Sequence, residues 1–185
     1  KKCIWQTSIK RLRSLSAFVF FVGFVFFVCL HLFGLDLIVW GSQKPVKDLD
    51  ERYEAGSICS HTGVKQEAIR VEHGDDIQRI VSAIYGGTPS VVAIDEAFMI
   101  PGSGNAAIQL FKRGHTVLVA SLQLSSDGSA YEETQNMFPF ATYVAVCPAV
   151  DPISKQDAYY TEKYGGRKDH AIEVGGAEMY RPRDW

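Results

Sequence analysis

The chain has 185 residues, 46% of them hydrophobic and 22% charged, which suits one globular domain plus one extra element. A net charge of −2 excludes a global attraction for nucleic acid. Cys3, Cys29, Cys59 and Cys147 stand apart with no CxxC spacing, which excludes a disulfide framework and a four-cysteine zinc site and predicts reduced thiols.

The chain opens on Lys rather than Met, so the N-terminus reads as processed, trimmed or incomplete. Lys1, Lys2, Lys10, Arg11 and Arg13 precede a very apolar run, and no acid appears before Asp36. Residues 17–30, AFVFFVGFVFFVCL, hold no polar side chain except a cysteine. A span takes roughly 20 apolar residues, so residues 15–35 read as a candidate membrane helix with the basic flank on the cytoplasmic or matrix side. A signal peptide is the second reading, although no small-x-small cleavage site follows. A buried core segment, or wrongly joined sequence, is the third. Phe and Val fill the run where Leu and Ala would favour a helix.

Residues 37–40 suit a short strand, and 41–63 are loop-like, rich in Gly, Pro, Asp and Ser. Residues 64–71 alternate loosely and contain another candidate strand. Asp75 or Asp76 is expected to cap a helix whose Ile77, Ile80, Val81 and Ile84 fall at i, i+3, i+4 and i+7. Gly86-Gly87 ends it, and Pro89 prevents its resumption. Then comes VVAIDEAFMI, residues 91–100: a strand buried on both faces, followed at once by Asp95 and Glu96. Ligands bind at strand ends in open α/β sheets. Adjacent carboxylates there point in different directions. One can hold Mg²⁺ while the other accepts a proton. A strand ending in a solvated acidic turn explains the pair equally well.

Residues 105–113 suit a short helix ended by Gly114, 116–120 (TVLVA) a second buried strand, 132–138 a helix and 143–147 a further strand. This alternation predicts a parallel sheet with right-handed crossovers, and places the polar loop 125–129 on the same edge as Asp95 and Glu96. Residues 157–164 and 170–174 read as a hairpin around Gly165-Gly166. A loop, GGAEMYRPRDW, follows to the end.

Six runs, KPVKDLDERY, ICSHTGVKQEAI, IDEAF, CPAV, DAYYT and EVGGAEMY, carry a resemblance covering about residues 44–184. In order and distance they resemble the type II thymidine kinases, the zinc-containing class that phosphorylates deoxythymidine. The resemblance implies an α/β fold: a three-layer, parallel-sheet, nucleotide-kinase-like core over 37–147. A degenerate zinc-domain-like hairpin and lasso loop over 148–185 and the leader with its hydrophobic helix over 1–36 complete it. It implies ATP and Mg²⁺ as cofactors and deoxythymidine, or its nucleotide product, as ligand. Glu96 matches the general base, Asp95 the Mg²⁺-side carboxylate and Arg52 an arginine near the phosphates. Leu122, Tyr131, Thr161 and Tyr180 match positions around the thymine. Ser126 falls where a base-flanking aromatic lies. Ala171, Ile172, Glu173, Val174 and Gly175 match the lasso whose backbone grips the base. Bland alternatives stand beside these: Tyr180 as core, Arg52 paired with Asp50 or Glu51, Gly175-Gly176 as a turn.

The chain departs from the family in three ways. The family's phosphate loop, G-x-x-x-x-G-K-[ST], does not appear in it. Residues 7–13, TSIKRLR, read as the start of the helix that follows such a loop, with 17–33 replacing the rest. The zinc-ligand positions fall on Asp151, Ser154 and Asp184, a set too poor in N and S donors for a structural zinc, so zinc is expected to be lost. Gln123 stands where the family has an acid, and Phe98-Met99 shifts the aromatic after Asp-Glu-Ala. Two functions follow: an ATP-dependent thymidine kinase, or an inactive thymidine-kinase-like accessory or structural subunit, tethered to a membrane complex where 15–35 spans a bilayer. The family implies a cytoplasmic tetramer; a spanning 15–35 would instead anchor the chain to an organelle or inner membrane.

Overall fold

The computed structural model describes the backbone of residues 18–22, 37–41 and 58–59, together with residues 56–57, 65–165 and 178–184. Its centre is a six-stranded sheet. The strands are β1 (Phe18–Val22), β2 (Leu37–Gly41), β5 (Ile69–Val71), β6 (Val91–Asp95), β7 (Thr116–Ala120) and β8 (Tyr143–Val146). They lie in the order β5-β2-β6-β7-β1-β8, and every neighbouring pair is parallel. Strands β3 (Ser57–Cys59) and β4 (Lys65–Glu67) form a separate antiparallel ribbon.

Three helices link the later strands: α1 (Gly74–Tyr85), α2 (Ser103–Lys112) and α3 (Glu132–Met137). The connections β5-α1-β6, β6-α2-β7 and β7-α3-β8 all step across the sheet in one direction. Right-handed crossovers of one direction lay their helices on one face, and α1 does pack on α2 and α2 on α3. Ile77 and Val81 of α1, and Ala106, Ala107 and Leu110 of α2, meet Val92, Ile94, Val117 and Val119 in a single cluster. Ala93 and Leu118 alternate to the opposite face and are fully buried too. The apolar runs of β6 and β7 are thus explained by burial on both sides.

The N-terminal run differs from expectation. Phe18–Val22, inside the candidate membrane span, is a strand hydrogen-bonded to β7 on one side and β8 on the other. Phe and Val are strong strand formers, and an interior strand of a parallel sheet reads with the same unbroken apolarity as a span. Among the described residues no helix is long and apolar enough to cross a membrane.

Smaller corrections follow the same physics. His73, not Asp75 or Asp76, is the N-cap of α1. Asp76 sits three residues on, and its Oδ2 accepts the His73 N–H at 3.2 Å. Residues 157–164 split into β10 (Asp157–Ala158) and β11 (Tyr160–Lys163). Strand β10 pairs with β9 (Ala149–Val150). Strand β11 pairs antiparallel with β12 (Tyr180–Arg183), Lys163 opposite Tyr180; the hairpin expected above needs residues 170–174. Those lie outside the described residues.

Candidate active site

Strand β6 ends at the carboxyl edge of the sheet, flanked by β2 and β7. Its last residue, Asp95, is half-buried and accepts the Glu96 N–H at 3.1 Å. Desolvation pushes the Asp95 carboxyl up to about 6, and the single backbone bond opposes this only in part. Glu96 adopts φ 53°, ψ 40°, a left-handed conformation costly for a residue with a Cβ. This turn diverts the chain into the 3₁₀ segment Ala97–Met99. Such strain concentrates where function demands a particular side-chain direction.

The strained turn is held from below by a relay. The Phe98 N–H donates to Ser121 Oγ at 3.1 Å. Ser121 Oγ lies 2.7 Å from Thr134 Oγ1, which donates to the Leu122 carbonyl at 2.8 Å. Ser103 Oγ donates to the Ala97 carbonyl at 2.7 Å. The Gly102 and Gly104 N–H groups donate to Glu133 Oε1 and Oε2 at 2.6 and 2.8 Å, so one α3 carboxylate serves the start of α2. The Gly74 N–H donates to the Pro101 carbonyl at 2.9 Å, an approach so close that a Cβ on Gly74 would lie 2.1 Å from the Gly102 oxygen.

Above the turn, the Phe98 and Tyr131 rings stack at a tilt with centroids 4.6 Å apart. The Tyr131 phenol is pushed up to about 12, first by burial and then by Tyr180, Asp127 and Glu96, which lie within electrostatic reach. Glu96 and Tyr180, named separately from sequence, both fall within electrostatic reach of Tyr131. Tyr180 comes from β12, and Thr161 from its partner β11, where it pairs with Pro182. The Ser126 backbone carbonyl accepts the Tyr160 hydroxyl, tying the β7–α3 loop to β11. Gln123 Nε2 donates to the Tyr159 carbonyl at 3.4 Å, while its Oε1 is buried without a hydrogen-bond partner among the described residues. Arg52, and Ala171, Ile172, Glu173, Val174 and Gly175, lie outside the described residues.

The positions aligned with zinc ligands come together, but without zinc chemistry. Asp151 is fully buried, and its Oδ1 accepts the Ile153 and Ser154 N–H groups at 2.6 and 3.2 Å. Its Oδ2 accepts Arg183 Nε at 2.9 Å and the Asp184 N–H at 3.1 Å. Both oxygens face donors, and a guanidinium stands where a cation would have to go, so this set does not fit a zinc ion. Burial alone would raise this carboxyl. The backbone bonds from Ile153, Asp184 and Ser154, with the Arg183 charge, outweigh it and hold it well below the usual carboxylate range.

Sequence reasoning missed Ser121, Thr134 and Glu133, whose contacts join residues 12 to 31 positions apart. No local motif marks such pairs. Arg183 was missed for the same reason.

A family model described as thymidine kinase matches residues 44–183. A thymidine kinase of Pyrobaculum aerophilum is 29% identical over 140 residues, covering 73% of this chain and 75% of its own.

Proposed function

Because the chain belongs to the thymidine kinase family, we propose that it transfers a phosphoryl group from ATP to the 5′-hydroxyl of deoxythymidine, with Glu96 as general base. The observation that carries this reading is the left-handed Glu96 at the carboxyl end of β6, opening the 97–99 segment whose Phe98 ring packs on Tyr131. A free hydroxyl is a poor nucleophile, and a carboxylate within hydrogen-bond reach removes its proton as the new bond forms. Tyr180 and Tyr131 offer flat apolar faces for a nucleobase, and Thr161 offers a hydroxyl on the adjoining strand. Asp95, ionised above about pH 6, suits one carboxylate contact to a hydrated Mg²⁺. When bound, Mg²⁺-ATP supplies the phosphoryl group and the charge that offsets its oxygens.

One observation favours a second reading, in which the nucleoside binds and no phosphoryl transfer follows. Strand β1 occupies the sheet position beside β7, and the sequence after it reads GFVFFV rather than G-x-x-x-x-G-K-[ST]. A triphosphate then lacks the backbone and lysine donors of that loop. The chain would serve as an accessory subunit with a retained nucleoside site.

A phosphate-transfer assay with ATP, Mg²⁺ and deoxythymidine decides between them. Turnover that falls about 10²–10⁴-fold in Glu96→Gln supports the kinase reading. Binding of deoxythymidine without turnover supports the second, and absence of both overturns the two together.

A further inference from the structure

The β11–β12 hairpin carries Thr161 and brings Tyr180 within electrostatic reach of Tyr131, yet among the described residues it is a two-stranded sheet with no other strand hydrogen-bonded to it. An isolated two-stranded hairpin is marginal in water. Something must hold it in place. Alternation along the strands puts Thr161, Tyr180 and Pro182 on one face and Glu162, Arg181 and Arg183 on the other. The second face carries a charged network. Arg181 Nε lies 2.6 Å from Glu162 Oε2, and Arg183 Nη1 lies 3.5 Å from the same oxygen. Arg183 Nε bonds the buried Asp151 at 2.9 Å.

Asp151 belongs to neither strand. It opens the turn between β9 and β10, and β12 packs against both of those strands. The four hydrogen bonds to its carboxylate divide evenly: two N–H groups from its own turn, at Ile153 and Ser154, and two donors from the end of β12 and the residue after it, Arg183 and Asp184. One carboxylate therefore cross-links two chain segments some 30 residues apart in sequence. Lys155, at φ 62°, closes the turn by donating its N–H to the Asp151 carbonyl at 3.0 Å. The turn is thus shaped around this carboxylate.

We propose that Asp151 and Arg183 are positioning residues that fix the β11–β12 hairpin, and with it Tyr180 and Thr161, against the nucleoside site, a cross-link made by a buried carboxylate and a guanidinium in place of a metal ion. The nucleoside part of this statement rests on the function proposed above; the cross-link does not.

The test uses the full chain with Asp151→Asn, and Arg183→Gln as a milder variant from the more exposed partner. Two measurements are made. Hydrogen exchange follows peptides from 151–163 and 178–184 beside core peptides from 91–120. Calorimetric titration gives the Kd for deoxythymidine, with and without a zinc chelator. Removing one member of a charged hydrogen-bonded pair is expected to speed exchange in both hairpin segments about tenfold or more, with the core unchanged. Deoxythymidine binding weakens by a similar factor in both variants. In the wild type the chelator changes neither exchange nor Kd. Where turnover is measurable, KM rises while kcat holds.

Unchanged hairpin exchange in both variants overturns the cross-link. Faster exchange with an unaltered Kd overturns its role in positioning the site. A chelator that loosens the wild-type hairpin overturns the substitution for a metal. A wild-type chain that binds no deoxythymidine overturns the nucleoside reading instead, while the exchange data still decide the cross-link.

Discussion

Glu96→Gly and Glu96→Ala, compared with each other, weigh the strain stored at the proposed base. Both remove the carboxylate and every contact its side chain makes, so only the backbone term separates them. At φ 53°, ψ 40° a residue with a Cβ forfeits about 1–2 kcal/mol relative to a right-handed conformation. Glycine escapes that penalty but loses roughly 0.5–1 kcal/mol more in chain entropy on folding. The difference favours the glycine variant by about 0.5–1 kcal/mol. With a urea slope of about 2 kcal/mol per molar, the midpoint should lie about 0.3–0.5 M higher for glycine than for alanine. Urea unfolding followed by circular dichroism measures this directly. Under the kinase reading, turnover is lost in both variants alike, separating stability from chemistry. An alanine variant as stable as the glycine variant would refute the reasoning, since the turn would then cost nothing to hold.

Three further outcomes follow from the same geometry. The Asp95 carboxyl is raised from 3.8 to about 6, so its folded-state contribution is full below about pH 4 and is lost as pH rises through 6. Thermal melts should therefore show Asp95→Asn gaining on the wild type between pH 4 and 7.5, by at most roughly 3 kcal/mol; parallel pH profiles would contradict this. Glu133→Ala strips the charged acceptor from the Gly102 and Gly104 N–H groups, and a loss of about 1–2 kcal/mol with faster exchange in the first turn of α2 is expected. Gly74→Ala drives a Cβ into backbone atoms of Gly102, so a loss of about 2 kcal/mol or more should appear as a lowered Tm.

How much of this was legible beforehand depends on the range of each interaction. Val91–Asp95 and Thr116–Ala120 announce themselves because a strand covered on both faces admits no polar residue until it ends. The same rule misled at Phe18–Val22, where unbroken apolarity serves a central strand as well as a lipid span. Gly165-Gly166 suggested a short hairpin with residues 170–174, which lie outside the described residues, while the pairing of β11 with the more distant Tyr180–Arg183 was not foreseen. Turn residues indicate where the chain can bend, not which partner a strand takes. Asp95 and Glu96 were visible as a pair, yet their different environments were not. Burial of one and the left-handed turn of the other arise only once β2, β7 and the 97–99 segment are in place. The partners of Asp151 are mostly backbone N–H groups, which leave no trace in residue identity.

The contacts around the 97–99 segment form a closed circuit: Phe98 to Ser121, Ser121 to Thr134, the neighbouring Glu133 to Gly102 and Gly104, and Ser103 back to Ala97. Members of such a ring do not fail one at a time, so substitutions within it should combine non-additively. A slackened Glu133 or Thr134 is transmitted to the proposed base through shared backbone, without either side chain having to touch a substrate. Drift at these unassuming positions would therefore loosen the turn that carries the proposed base.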